Sequence, residues 1–211
     1  MCRLLCLKSD KPIQITKYLE KFATTCKASK EYQGHGWGLA YRAQGTWKYQ
    51  KSIQPIWEDN LEENIETDLL LVHARSAFQD EGIVVENNMP FYDEKYVFIF
   101  NGELRGVRIK AEGRIGAEKI FNYIKRFDTD GIEEALKKGT SVIEKRTRYV
   151  RAMNIMLSDG DTVYINSLFN EDHEYFQMHK TVRDGVSIVC SDPLDASEDW
   201  RTIENRTNFK L

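Results

Sequence analysis

Apolar residues at Ile15, Leu19, Phe22 and Ala23 recur at the three-and-four spacing of one helix face, and Pro12 suits the first turn of such a helix. Residues 2–7, ahead of it, are apolar on both faces and read as a short buried strand. A glycine-dense turn, Gly34-His35-Gly36-Trp37-Gly38, opens a strand at 39–41. Gln44-Gly45 joins that strand to a hairpin partner over 46–52. A polar, helix-permissive stretch at 58–68 leads into an apolar strand at 69–73. A loop over 86–91 carries Pro90, a strand follows at 96–100, and Asn101-Gly102 has the composition of a hairpin turn. Helical spacing returns over 117–127 and 132–144. Strand patterns then occupy 152–157, 162–165, 174–178 and 186–191, with a turn at Ser158-Asp159-Gly160-Asp161. Strands, helices and strands again, with no repeat or linker, predict one α+β domain over residues 1–211, its helices covering antiparallel sheets.

Composition narrows the function classes. Lys plus Arg number 30 against 33 Asp plus Glu, a net charge of −3 that argues against nucleic-acid binding by bulk charge. The longest apolar runs, 69–72 and 96–100, fall far short of a membrane span. No basic segment followed by an apolar one opens the sequence, so a cytoplasmic protein is expected, with neither membrane nor nucleic acid as partner. Four scattered histidines form no metal-ligand pattern, and the four cysteines include no C-x-x-C pair. Cys6 and Cys190 lie in apolar strand patterns and read as packing, whereas Cys26, in Thr24-Thr25-Cys26-Lys27, reads as incidental.

Cys2 is different because of its position. An initiator Met is readily removed before a small residue, and the chain would then begin with a cysteine bearing both a thiol and a free α-amine. Such an amine titrates at about pH 8, so it can accept the thiol proton near neutrality, directly or through water. Nucleophile and base then come from one residue. Position alone is a weak signal, since most second-position cysteines are inert.

Further segments add specificity. Met1-Cys2-Arg3-Leu4-Leu5, His35-Gly36-Trp37-Gly38, His73-Ala74-Arg75, Asn87-Asn88-Met89-Pro90-Phe91, Phe100-Asn101-Gly102-Glu103-Leu104 and Cys190-Ser191-Asp192-Pro193-Leu194 occur in that order. Together they resemble the class II glutamine amidotransferases, which are N-terminal nucleophile hydrolases, and in particular the stand-alone branch. The resemblance runs to about residue 200. It implies a four-layer αββα sandwich of two antiparallel sheets, with Cys2 at the end of a central strand. It also implies an acyl-enzyme mechanism that needs no cofactor and no metal. Cys2 is the implied catalytic nucleophile, with the Asn101 amide and the Gly102 N–H as donors to the oxyanion formed on amide attack. Arg75 is the implied substrate-binding residue, a planar permanent cation suited to a carboxylate. The Gly36-Trp37-Gly38 turn is expected to enclose the new amino terminus, with Trp37 in the core. His73 is expected to pack behind its strand, and the closing motif with Trp200 to be structural.

The departures from the family pattern gather at substrate recognition. The family's acidic partner for the glutamine α-ammonium falls at Gly116 in Ile115-Gly116-Ala117-Glu118. Losing such a partner costs about 1.5–5 kcal/mol of binding. Phe100 and Met89 replace polar family residues nearby. Three readings follow: hydrolysis of another amide that has a carboxylate but no free α-amine, such as a γ-glutamyl or N-acylated compound; replacement of the missing acid by Glu112 or Glu118; or an inactive binding or regulatory subunit. The substrate expected for an active enzyme is glutamine or a γ-glutamyl-type amide, and any ammonia acceptor would belong to a partner synthase chain.

Overall fold

A computed structural model describes residues 1–61, 64–196 and 199–211. The first half contains β1 (Arg3–Gln14), α1 (Thr16–Lys27), β2 (Trp37–Ala43), β3 (Thr46–Ser52), β4 (Glu66–Ala74), β5 (Phe91–Tyr92) and β6 (Val97–Val107). The second contains α2 (Gly116–Lys125), α3 (Ile132–Lys145), β7 (Thr147–Ser158), β8 (Val163–Ser167), α4 (His173–Phe176), β9 (His179–Arg183), β10 (Val186–Cys190), β11 (Arg201–Thr202) and β12 (Thr207–Lys210).

The strands form two antiparallel sheets. One has the order β11-β9-β10-β1-β4-β2-β3, so β1 is central, and the other runs β12-β8-β7-β6-β5. Alternation along β1 divides its side chains between two cores. Leu5 and Leu7 meet Leu19, Phe22 and Cys26 of α1 on the outer face. Leu4 and Cys6 face the second sheet and share a core with Ile99, Met156 and Ile165. On the far side of that second sheet, α2 and α3 cover β6 and β7, with Phe121 of α2 stacked on Phe98 of β6 at 5.1 Å. The result is the αββα sandwich expected from the sequence. Close approach of α2 and α3 depends on Gly139, where an added Cβ would lie 2.9 Å from Ile124 Cγ1.

Several local expectations are overturned. Pro12 lies within β1, which runs on to Gln14, and α1 starts only at Thr16. Residues 174–178 form no strand; α4 occupies His173–Phe176 and presents Tyr175 and Phe176 to a buried cluster. No helix forms among the described residues of 58–68, of which 62 and 63 lie outside the described set. Cys26 is buried on the apolar stripe of α1 rather than incidental. Most consequential, Asn101-Gly102 is not a turn. Both residues lie inside β6, opposite Asn154 and Met153, immediately before a bulge at Glu103/Leu104. The chain reverses earlier instead, where Asp93 Oδ1 accepts the Lys95 and Tyr96 N–H groups at 2.9 Å. A partner as long as β7 then carries β6 straight through the Asn-Gly pair.

Candidate active site

Strand register gathers the predicted residues at one end of the sandwich. Arg3 and Trp37 both pair with Ala74, so Cys2, Gly36 and Arg75 emerge together at the edge of the first sheet. The Arg75 N–H donates to Gly36 O at 2.8 Å, and the His35 N–H donates to Arg75 O at 3.1 Å. Cys2 is buried, its Sγ 3.7 Å from Ser76 O. Burial pushes the Cys2 thiol above its ordinary value, opposed in part by the nearby amino terminus, Ser76 and Arg75. A neutral thiol of this kind needs a base before it can attack.

Cys2, Arg75, Ser76, Gly102, Gly116 and Arg151 line one open cleft of about 870 Å³. The Arg75 guanidinium donates to Gly82 O at 2.9 Å and to Asn88 Oδ1 at 3.2 Å, and Arg75 is only 6% exposed. Among the described side chains no carboxylate pairs with it, so this cation lacks the counter-charge that burial demands. Asn88 is held in turn by its own donation to Ser52 O at 2.6 Å. The glycines of the Gly-Trp-Gly motif make this possible. An added Cβ at Gly36, where φ is +104°, would lie 2.1 Å from Asn88 Nδ2, and one at Gly38 would lie 2.4 Å from Met89 O. The turn therefore admits the loop that supports Arg75. Trp37 is core, its Nε1 donating to Asp59 at 2.9 Å.

Asn101 is fully buried next to Gly102, and neither its Oδ1 nor its Nδ2 has a protein partner. Gly102 tolerates no side chain, since a Cβ there would lie 2.1 Å from Ala152 O. At Gly116, the first residue of α2, an added Cβ meets nothing within 4 Å, so the position opens into the cleft. Neither acid suggested as a replacement for it reaches the cleft. Glu118 is bound by Arg114 at 2.6 Å and borders a separate cavity of about 430 Å³ with Lys51 and Phe91. Glu112 borders a third hollow with Lys110 and Arg126.

Sequence reading missed the groups that enclose residue 1. The Met1 ammonium pairs with Glu31, and the Met1 carbonyl accepts from Gln33 Nε2 and the Tyr175 hydroxyl. Arg151 ties Glu31 at 3.1 Å to Glu103 at 3.3 Å and also binds Asp172. These residues come from separate loops and strands, and only the adjacency of Glu31-Tyr32-Gln33 to the glycine turn hinted at them. His73, fully buried on β4, is pushed down to about 3 by burial and by the Arg75 and Lys51 cations, so it is neutral. The closing motif is structural: Ser191 Oγ accepts the Leu4 N–H at 2.9 Å, and Asp192 pairs with Arg3 at 3.0 Å. Trp200 donates to Asp195 O at 2.9 Å and packs on the outer core. Among the described residues no group of acids, histidines and cysteines is arranged to hold a metal, and no helix is long and apolar enough to cross a membrane.

The two-sheet sandwich matches a known class. The sequence profile of the class-II glutamine amidotransferases matches residues 1–168, and the chain belongs to that family. It is 22% identical to YafJ of Escherichia coli (strain K12), a protein named for the glutamine amidotransferases, over 96% of this chain and 94% of that one. Its fold is similar to that of a glutamine aminotransferase class-II domain protein from Silicibacter pomeroyi, with a TM-score of 0.68 at 15% identity over 99% of this chain and 94% of that chain. It is also similar to the glutamine phosphoribosylpyrophosphate amidotransferase of Bacillus subtilis, with a TM-score of 0.66 at 12% identity, covering 90% of this chain but only 42% of the larger enzyme.

Proposed function

We propose that the protein is a cysteine-dependent amidohydrolase that cleaves the side-chain amide of glutamine or a related carboxylate-bearing amide. Removal of Met1 frees the Cys2 α-amine, which takes the thiol proton. Sγ attacks the amide carbon, and the resulting oxyanion accepts from Asn101 Nδ2 and the Gly102 N–H. The α-ammonium returns that proton to the leaving nitrogen as collapse breaks the C–N bond, which releases ammonia, leaves a thioester on Cys2 and regenerates the neutral amine. Water, deprotonated by the same amine, hydrolyses that thioester and restores the thiol. The ammonia passes to solvent or to a partner synthase chain.

The observation that carries this reading is the buried, carboxylate-free Arg75 guanidinium on the wall of the cleft that holds the Cys2 thiol. A buried cation with no protein counter-charge suits a substrate carboxylate. The Asn101 amide, fully buried behind the cleft wall beside the lining residue Gly102, adds support, because a buried amide without a protein partner is costly. The test uses protein whose Cys2 amino terminus is verified by intact mass, treated with a glutamine-like electrophile. A Cys2 adduct and ammonia release from an amide panel are expected. Absence of both refutes the reading.

An inactive subunit is the competing reading, favoured by Gly116, Phe100 and Met89, which replace polar or acidic residues of the family pattern around the cleft. Native protein that retains Met1 and keeps its biological role after Cys2→Ala would support it.

A further inference from the structure

We infer that the cleft selects amides whose α-nitrogen is acylated by an apolar group, so that the substrate class is N-acylglutamine rather than free glutamine. This rests on the amidohydrolase reading and names the substrate of the same site. Charge is the first argument. Five cations line the cleft, Arg75, Arg105, Arg114, Lys119 and Arg151, against three carboxylates, Glu31, Glu81 and Glu103. Glu31 and Glu103 are both held by Arg151, and Glu103 also pairs with Arg105. Glu81 lies on the exposed rim, where water and salt screen it. Lys119, one turn beyond Gly116, has no carboxylate partner among the described residues. Arg114 and Arg151 are in turn paired with Glu118 and Asp172, which leaves Arg75 and Lys119 as the cleft cations without a carboxylate among the described residues. A substrate ammonium entering this cleft meets these two cations and, inside the exposed rim, no acid that is not already paired, whereas an amide nitrogen carries no charge to repel.

Shape and polarity give the second argument. Gly116 leaves open space at the start of α2. Around it, Leu104, Val107, Ile109 and Ile115 line the same cleft, all only partly buried. Partly exposed aliphatic side chains converging on a cleft are unusual on a protein surface and suit an apolar ligand group. A substrate whose carboxylate meets Arg75 and whose carboxamide meets Cys2 would thus send an acyl chain past Gly116 onto this wall. In the reaction the Cys2 thioester forms as ammonia leaves, and water then releases N-acylglutamate with the acyl amide untouched.

Calorimetry on the full chain carrying Cys2→Ala separates binding from catalysis. The ligands are L-glutamine, N-acetyl-L-glutamine and N-hexanoyl-L-glutamine. Each fully buried methylene tightens binding about fourfold, so four half-buried ones should give the hexanoyl compound at least a tenfold advantage over the acetyl compound. Free glutamine should bind more weakly than either. In the Gly116→Asp variant the order should reverse, because the added carboxylate pairs with the glutamine ammonium in space that is open. Leu104→Ser should reduce the hexanoyl advantage. Free glutamine binding as tightly as the acylated ligands, or no gain from acetyl to hexanoyl, overturns the inference whatever catalysis shows. Tight binding of the acylated ligands without turnover by the Cys2-terminal protein instead removes the amidohydrolase reading and leaves the ligand assignment standing.

Discussion

Replacing Arg75 with Met separates a binding residue from a structural one. The substitution removes hydrogen bonds to Gly82 O and Asn88 Oδ1. Gly82 O keeps a second donor, Asn87 Nδ2 at 2.9 Å, so only Asn88 Oδ1 is left bare, at a cost of about 1–3 kcal/mol. Against this stands the relief of a buried cation that has no carboxylate, a penalty of several kcal/mol in its own right. The two nearly cancel, so the melting temperature should move by no more than about 4 °C in either direction, equivalent to about 1 kcal/mol in a domain of this size. Binding should respond quite differently. A bidentate pair with a substrate carboxylate comprises two charge-assisted hydrogen bonds at about 1.5–3 kcal/mol each, so affinity for a carboxylate-bearing amide should fall at least a hundredfold. Calorimetric melting and ligand titration on the same variant provide both readings. A fall in melting temperature of 10 °C or more, with little loss of binding, would refute the argument by showing that the guanidinium is part of the framework.

The remaining predictions address the proposed oxyanion donors, the framework and pH. Asn101→Ala should lower kcat for amide hydrolysis by about 10²–10³ with little change in KM, as steady-state ammonia release will show. Gly102→Ala drives a methyl against Ala152 O and should cost about 1–3 kcal/mol of stability, read by urea unfolding, while displacing Asn101 and abolishing turnover. Arg3→Met breaks a buried network with Asp192, Ser29 and the Tyr175 and Ser191 carbonyls, and should cost about 3–5 kcal/mol in the same assay. His73, neutral in the fold, takes up a proton on unfolding below its ordinary 6.5 and only below about 3 when folded. Stability is therefore full above pH 6.5 and is lost as pH falls toward 3, at about 1.4 kcal/mol per pH unit for this one group. His73→Met should remove that share of the slope between pH 6.5 and 5, and unchanged slopes would count against the assignment.

Local chemistry made much of this protein legible in advance. The spacing of Leu19, Phe22 and Cys26, or of Ala117, Ile120 and Ile124, produces a helix wherever an apolar surface is available, because one face repeats every three to four residues. Gln44-Gly45 closes a hairpin for equally local reasons: Gln44 and Gly45 both take positive φ. Cys2, Arg75, Asn101 and Gly102 could be singled out by type and order. What each does was less accessible. Asn101-Gly102 has the composition of a turn, and only pairing with all of β7 stretches it into a strand whose amide is buried without a partner. Cys26 looks polar in sequence because its neighbours on the other side of α1 face water.

The sequence by itself determined the fold class, most of the helices and strands, and the candidate reactive groups, since backbone preference and side-chain chemistry act over a few residues. Tertiary structure alone decided which charges remain available. Glu31 and Glu103 become committed to Arg151, Glu118 is turned toward another cavity, and Arg75 is left buried without a carboxylate. Those outcomes depend on contacts between residues up to 120 positions apart, whose electrostatic balance no local pattern encodes.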